Sequence, residues 1–428
     1  MFGSKKPLLE KTIAGRVVDE KLSKKIDKLP DNYEIGTASD MQLIGQAIAT
    51  LETFPEDHYS GPGAGLHALV ALCQRLSTRE ARDAFSEYVA PGLIRLYGLA
   101  MNLPDPDTSL VMFMLKQLAN FPSPGSTERL AHAAHHPKLE DEYLWEVICS
   151  MFSHPDNPSG LEMALRVADP LPNKFASVAL LDCLNAIAID RGLDNHPFDS
   201  QEGISRLKAW LSNTDEDTFS YAVSATATLP FLTRPERSAL FGLAYQHPYK
   251  DVQLEASWAA AKIGEVSGIE RLADMSNDPH LSSKAVSYLK ELGFEEAVPG
   301  KVREPGFMAM AEMSQWLQHP MEFGRVPDDL ELYDHRILFW PPEDRELPLW
   351  LFKYTYKDDD PDEPDDVGIG MVGSVTFALF GEATADLSPE EVYGLHCCWE
   401  LQNQNHADAP EDRDGKTGWA MIEAAQAS

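Results

Sequence analysis

The feature that most constrains the fold is a helix-pair pattern that repeats between residues 251 and 298. The second copy begins at His280 and follows the first at an offset of about 29 residues, which lies within the period range of helical solenoids. Apolar and small residues recur at matching places, and Gly264 is matched by Gly293. One such pair cannot bury its apolar face alone. The repeat therefore predicts stacked helices with an extended surface for holding a partner.

Helical periodicity continues on the N-terminal side of this repeat, so we predict a helical array over residues 39–300. The breaks between its helices carry Pro or Gly, and three of them are His136–Pro137, His247–Pro248 and Asp278–Pro279. In each junction, a His or Asp side chain can hydrogen-bond to unpaired backbone groups at a helix end, and the proline after it fixes the φ angle at which the next helix begins. We interpret these junctions as structural caps and not as catalytic histidines.

The segment DVQLEASWAAAKIG with its continuation resembles a HEAT-type repeat of the short kind also found in phycobilin lyases. The matching residues are Asp251, Val252, Ala256, Ala260, Ile263, Gly264, Ile269 and Leu272. The next copy keeps Ala285, Leu292, Gly293, Ala297, Val298 and Pro299, and it lacks the leading Asp-Val. These positions are structural, so the resemblance implies a HEAT-like α-solenoid that binds a partner, and no reaction. We expect Ala256, Ala260, Ile263, Leu289 and Leu292 to be buried between repeats.

Residues 301–428 differ in kind, because they hold five of the eight tryptophans and several runs of alternating residues. We predict an α+β domain with a strand near 330–340 and an antiparallel pair near 349–357 and 371–381. Its aromatic row is expected to pack on Phe377 or on a helix at 389–402. A capping box, Ser388 with Glu391, opens that helix.

Residues 1–38 are locally basic and form the third predicted segment, an N-terminal arm. Ile13, Val17, Leu22 and Ile26 are compatible with the stripe of a single amphipathic helix, and a frayed arm is the alternative. Against an acidic body, such an arm is expected to fold back onto it.

Charge and composition narrow the possible functions. The net charge of −32 disfavours binding to nucleic-acid phosphates, favours solubility and is compatible with a basic partner. Adaptation to a high-salt or hot habitat is the alternative explanation of this charge. No long apolar run predicts a membrane helix, and the first residues do not read as a secretory signal, so we expect a cytoplasmic protein. The five cysteines show no CxxC spacing and are interpreted as reduced, mostly buried thiols. They are Cys73, Cys149, Cys183, Cys397 and Cys398.

No motif supplies a convincing reactive or metal-binding set, so no catalytic, cofactor or metal residue is predicted, and no cofactor. The acidic loop Asp358–Asp366 offers carboxylates to a hard cation, but its prolines and irregular spacing favour a solvated loop. Residues 408–421 fail the EF-hand pattern at Pro410 and Met421. His396–Cys397–Cys398 are helical neighbours whose side chains diverge. The stretches SGPGAG and VGIGMVG fit no phosphate-binding loop.

The sequence thus predicts a mainly α protein: a HEAT-like α-solenoid followed by a C-terminal α+β domain. The function it favours is a non-enzymatic scaffold or adaptor for a protein partner, with a basic partner preferred. An enzyme-like chromophore lyase and a cation-responsive regulator are the alternatives. Neither the partner's identity nor the oligomeric state follows from the sequence.

Overall fold

The computed structural model describes residues 8–155, 157–215, 218–358, 364–379 and 384–427. The chain divides into two compact units between Ala244 and Tyr245. Helices account for 59% of the residues, and the described strands form one small antiparallel sheet after residue 328, so the mainly α class is confirmed. The domain boundaries predicted after residues 38 and 300 remain predictions. In the observed division, the repeat at 251–298 belongs to the same unit as the sheet.

The first unit is built from helices. They begin with α1 Leu8–Ile13, α2 Glu20–Ile26, α3 Ala38–Ala49, α4 Gly61–Leu72, α5 Arg79–Tyr88, α6 Ala90–Met101 and α7 Thr108–Asn120. They continue with α8 Pro124–Ala134, α9 Trp145–Ser153, α10 Gly160–Val167, α11 Lys174–Arg191, α12 Gln201–Ser212, α13 Phe219–Ala227 and α14 Arg237–Gln246.

The basic arm forms two short helices, so the single helix predicted for it is wrong. The break falls at Gly15, whose φ of +66° ends α1, and Asp19 caps α2 by accepting the Lys21 and Leu22 amides. This break changes the helical register, so Val17 is 75% exposed and Val18 is buried in its place. From residue 8 onward the arm is packed and not frayed, since α1 contacts α3 and α2 contacts α4.

Helices that lie two apart in the chain pack against each other in the middle of this unit. One row runs α7, α9, α11 and α13, and a second row runs α6, α8 and α10. Helix α11 is apolar over most of its circumference and buries Val178, Leu181 and Ile187, among others. Such a helix requires neighbours on several sides, and α9, α10 and α13 supply them.

The second unit contains the repeat, the sheet and the last helices. Its elements are α15 Lys250–Lys262, α16 Val266–Met275, α17 Pro279–Glu291, α18 Pro305–Leu317, β1 Asp329–Trp340, β2 Arg345–Tyr356, β3 Asp366–Val372, β4 Phe377–Leu379, α19 Pro389–Asn403 and α20 Gly415–Gln426.

The offset of about 29 residues between the two copies in the sequence also separates equivalent positions of two helices in the structure. Helices α15 and α17 end in the same C-terminal cap, with a glycine at φ +87° and +79° respectively. Only glycine adopts this conformation without strain, which explains the matched glycines. At the end of α15, the Gly264 amide donates to the Ala261 carbonyl and the Glu265 amide to the Ala260 carbonyl. At the end of α17, the Gly293 amide donates to the Lys290 carbonyl and the Phe294 amide to the Leu289 carbonyl.

Burial within the repeat departs from the prediction at the helix ends. Ala256, Ala260 and Leu289 are fully buried, whereas Ile263 and Leu292 are only half-buried. Both exceptions are the C-cap residues of their helices, where the chain turns away from the packed face. The expected burial of Ile263 and Leu292 is therefore wrong.

Leu289 and Ile263 provide a paired test of this packing. Leu289→Ala is expected to lower the free energy of unfolding by about 2–5 kcal/mol, because it removes buried methyl groups and leaves a cavity in their place. Ile263→Ala is expected to cost about 1–2 kcal/mol, because part of that side chain already meets water. Urea unfolding followed by tryptophan fluorescence measures both values. Equal losses for the two variants would contradict this assignment of burial.

The four strands form an antiparallel sheet in the order β1-β2-β3-β4. The predicted strand at 330–340 is β1, and the predicted strand at 349–357 lies in β2, which starts earlier. After β1, the next antiparallel partner of β2 is β3, the glycine-bearing run Asp366–Val372, which contains only the first two residues of the predicted strand at 371–381. Phe377–Leu379, from the rest of that predicted strand, form β4, which pairs with β3. The bounds predicted for this strand are therefore wrong. Residues 380 and 381 lie outside the described part of the chain.

Helices cover both faces of the sheet, which is why alternate residues of β2 are apolar on both sides. Phe352 and Tyr354 pack against Met313 of α18. Leu349 and Leu351 face α19 and α20 instead. Of the two predicted partners of the aromatic row, the helix at 389–402 is therefore wrong for these residues, and packing on Phe377 stays a prediction. The predicted capping box of α19 is confirmed, with Ser388 and Glu391 bonded to each other's amides.

Candidate partner-binding groove

Helix α9 presents two different faces because its apolar residues recur at helical spacing. Trp145, Ile148 and Phe152 are completely buried. Glu146 and Ser150 lie on the opposite side and are exposed. This segregation places a polar helix face at the surface of the first unit.

A groove of about 420 Å³ lies where this face meets α11 and α13. We call it the serine-lined groove, and its lining residues are Tyr143, Glu146, Ser150, Ser153, Phe175, Val178, Ala179, Asp182, Cys183, Ser220 and Ser224. Its described lining contains the two carboxylates Glu146 and Asp182 and no lysine or arginine. The groove is therefore electrostatically suited to a positively charged segment.

An aromatic pair stands at one side of this groove. The rings of Tyr143 and Phe175 are stacked, with their centroids 5.6 Å apart and their planes 20° apart. Tyr143 is 69% exposed although it is held by the stack. A hydrogen bond to Glu146 raises the pKa of the Tyr143 phenol, so the ring and the carboxylate are direct neighbours in the groove. Exposed aromatic faces of this kind attract cationic side chains.

The other side of the groove is joined to the protein interior by hydrogen bonds. Ser224 donates to the Asp182 carboxylate at 3.0 Å, and the Asn185 amide donates to the Ser224 carbonyl at 3.2 Å. Burial raises the pKa of the Cys183 thiol to about 12, and Asp182 adds to the effect. A thiol held protonated at neutral pH is a poor nucleophile.

A larger cavity of about 850 Å³ adjoins the serine-lined groove and shares Ser150 with it. Its lining is mixed in charge, since Arg79 and Arg82 face it together with Asp83. The two cavities follow α5, α7, α9, α11 and α13, so an extended ligand has room along several helices.

The sites considered in the sequence do not assemble in the described part of the chain. The acidic loop follows β2 and leads into β3, which already begins at Asp366, so the loop predicted to reach Asp366 ends one residue earlier. Asp358 is exposed, and residues 359–363 lie outside the described residues. All five cysteines are free and buried, as predicted. His396 and Cys397 are buried in the cores beside the sheet, and among the described residues neither belongs to a cluster with metal-ligand spacing.

Close backbone approach explains the glycines that looked like motifs. A Cβ on Gly63 of SGPGAG would lie 1.8 Å from the Asp57 carbonyl oxygen. In VGIGMVG, a Cβ on Gly370 would lie 2.5 Å from Met313 of α18. The region 408–421 ends in α20, whose Gly415 and Gly418 meet Gly394 of α19. These glycines permit close packing at their positions.

The His-Pro junctions are turns in which the histidine ring accepts a backbone hydrogen bond. The Lys138 amide donates to His136 Nδ1 and the Tyr249 amide to His247 Nδ1, each at 3.3 Å. The interpretation of these histidines as structural residues is thus supported by contacts of the expected kind. The same turn recurs at His196, His319 and His406.

Two further polar groupings were missed by the sequence analysis. His280 Nδ1 lies 2.5 Å from the Ser314 hydroxyl, but Asp278 bonds the His280 backbone amide and not its ring, so no relay forms. The other grouping is Asp57 and His58 with Asp107. In both, long sequence separations conceal the proximity.

No protein-family model matches the chain, and no curated protein matches it. Within the described residues, none of the helices has the length and apolar character needed to cross a lipid bilayer.

Proposed function

We propose that the protein is a non-enzymatic scaffold or adaptor that binds a basic segment of a protein partner in the serine-lined groove. The observation that carries this proposal is the pairing of two carboxylates with an exposed aromatic stack in a groove whose described lining has no basic residue. Charge complementarity sets partner choice and orientation, and a stacked ring adds contact area at small entropic cost.

We further propose that the groove belongs to a HEAT-like α-solenoid. The alternation of helices supports this, because α7, α9, α11 and α13 form one row while α6, α8 and α10 form the other. Stacked helix pairs place every second helix on the same surface. The repeated glycine caps of α15 and α17 support the same architecture in the second unit.

The binding mode follows from the groove's contents. A lysine or arginine of the partner is placed over the Tyr143 ring and paired with Glu146 or Asp182. The serine hydroxyls offer hydrogen bonds to the partner's backbone. Since both carboxylates are exposed, the attraction is screened by salt and acts mainly on specificity and association rate.

Photo-crosslinking tests this proposal. A photoreactive amino acid at position 143 is compared with one at position 59, where Tyr59 is 80% exposed outside the groove. We expect a partner to be crosslinked from position 143 and not from position 59. The partner's crosslinked segment is expected to be rich in Lys or Arg.

Affinity measurements with the purified partner then examine the carboxylates. The double change Glu146→Gln and Asp182→Asn is expected to weaken binding roughly tenfold at low salt. Asp190→Asn is the matched control, since Asp190 is an exposed carboxylate on the same helix α11 outside the groove lining. Equal crosslinking from both positions, or unchanged affinity in the double variant, would reject the groove as the binding site.

A further inference from the structure

Three residues with metal-ligand side chains meet between two elements of the first unit. Asp57 and His58 lie in the segment before α4, and Asp107 is the N-cap residue of α7. One ligand atom from each residue lies within 4.8 Å of the other two. The sequence separation of 49 residues between His58 and Asp107 is why no motif indicated this cluster.

The spacing within the cluster resembles that of ligands around a metal ion. His58 Nδ1 lies 3.0 Å from Asp107 Oδ2. Two ligands bound to zinc at about 2.0 Å in tetrahedral geometry lie roughly 3.3 Å apart. Only a small movement of the two side chains is therefore needed to convert this hydrogen-bonded pair into a pair of metal ligands. Asp57 is the exposed member of the cluster, and its ligand atom lies within 4.8 Å of those of the other two.

We propose that Asp57, His58 and Asp107 form a binding site for a divalent transition-metal ion, Zn²⁺ or Mn²⁺. One imidazole and two carboxylates suit these ions, because imidazole favours zinc and carboxylates favour manganese. Three protein ligands leave at least one position for water. The ion lies between His58 Nδ1 and Asp107 Oδ2 and replaces the hydrogen that now joins these two atoms. A metal ligand must be deprotonated, so Nδ1 carries no hydrogen when the ion is bound.

The surroundings hold two of the ligands in place before any ion binds. The side chains of His58 and Asp107 are only 16% and 11% exposed. The His58 amide donates to Asp107 Oδ2 at 2.7 Å, and the Leu110 amide donates to Asp107 Oδ1 at 3.0 Å. Preorganised ligands lose little conformational freedom when the ion arrives.

Two neighbouring groups complete the environment. The Tyr59 amide and the Ser60 hydroxyl donate to the Asp57 carboxylate, each at 2.8 Å, and fix its position at the edge of the cluster. The ring of His67, on α4, lies 6.0 Å from that of His58 and is stacked on Phe113.

Calorimetric titration of the metal-free full chain with Zn²⁺, and separately with Mn²⁺, tests the site. We expect one saturable event per chain for at least one of the ions. Asp57→Asn and His58→Gln are each expected to weaken it tenfold or more. Asp105→Asn is the matched control, because Asp105 is an exposed carboxylate two residues from Asp107 that is not part of the cluster.

Using two variants separates loss of binding from loss of folding. Asp57 is exposed, so Asp57→Asn is expected to keep the circular dichroism spectrum and melting temperature of the metal-free parent. The absence of a one-to-one event with either ion would overturn the proposal. So would binding that remains unchanged in both ligand variants.

Discussion

Gly394→Val is expected to unfold the second unit or to displace its last two helices. A Cβ at this position of α19 would lie 1.9 Å from the Gly415 carbonyl oxygen and 2.7 Å from the Trp419 amide nitrogen of α20. Both obstacles are backbone atoms, so a rotamer change cannot relieve the overlap. The helices must separate, and the cost is expected to exceed the ~1–3 kcal/mol that is usual for an overpacked core.

The matched control is Gly98→Ala in α6, where an added Cβ meets no atom within 4 Å. That change is expected to be neutral or to stabilise the protein by about 0.5–1 kcal/mol, since alanine favours helices. Near-ultraviolet circular dichroism and urea unfolding measure both variants. A Gly394→Val protein with the parent's unfolding midpoint would contradict the close crossing of α19 and α20.

His396→Leu is expected to stabilise the protein, although it removes a polar residue from the core. The side chain is fully buried, and both ring nitrogens lack a hydrogen-bond partner among the described residues. A buried polar group without a partner costs about 1–3 kcal/mol, and an apolar side chain of similar size removes that cost. We therefore expect a gain of about this size at pH 7, measured by urea unfolding.

The advantage of the leucine variant is expected to grow in acid. Burial lowers the pKa of His396 from 6.5 to about 3, so the folded state keeps the ring neutral while the unfolded state protonates it. The stability associated with the neutral ring is complete above pH 6.5 and is lost as the pH falls from 6.5 toward 3. Across this range the two proteins are expected to diverge by about 1.4 kcal/mol per pH unit.

The exposed His406 provides a control for the substitution at pH 7. Its ring accepts the Asp408 amide at 3.2 Å, so His406→Leu is not expected to reproduce the gain in stability. If His396→Leu lowers stability at pH 7 and follows the parent's acid slope, the His396 ring has a partner and is not an isolated polar group.

Local signals in the sequence predicted the local structure well. The capping box at Ser388 and the Asp278–Pro279 start of α17 depend on residues within a few positions of each other. The alternation in β2 is likewise a property of consecutive residues. Such features need no knowledge of the distant chain, and the structure contains all three.

The groove and the three-residue cluster were not predicted, because they are formed between elements far apart in the chain. Phe175 stacks on a tyrosine 32 residues earlier, and Asp107 meets a histidine 49 residues earlier. The same limit explains the error over the aromatic row of β2. Alternation shows that a strand has two faces, but it does not show that α18 covers one and α19 with α20 the other.

The order of elements around the sheet has a consequence for synthesis on the ribosome. Neighbouring strands are also consecutive in the chain, so the sheet can pair as it emerges, with α18 already available for one face. The opposite face, which includes Leu349, Leu351 and Met371, has its covering helices only in the last 40 residues. A nascent chain that stops before Pro389 thus carries a paired sheet with one bare apolar surface, and premature termination there would leave an aggregation-prone product.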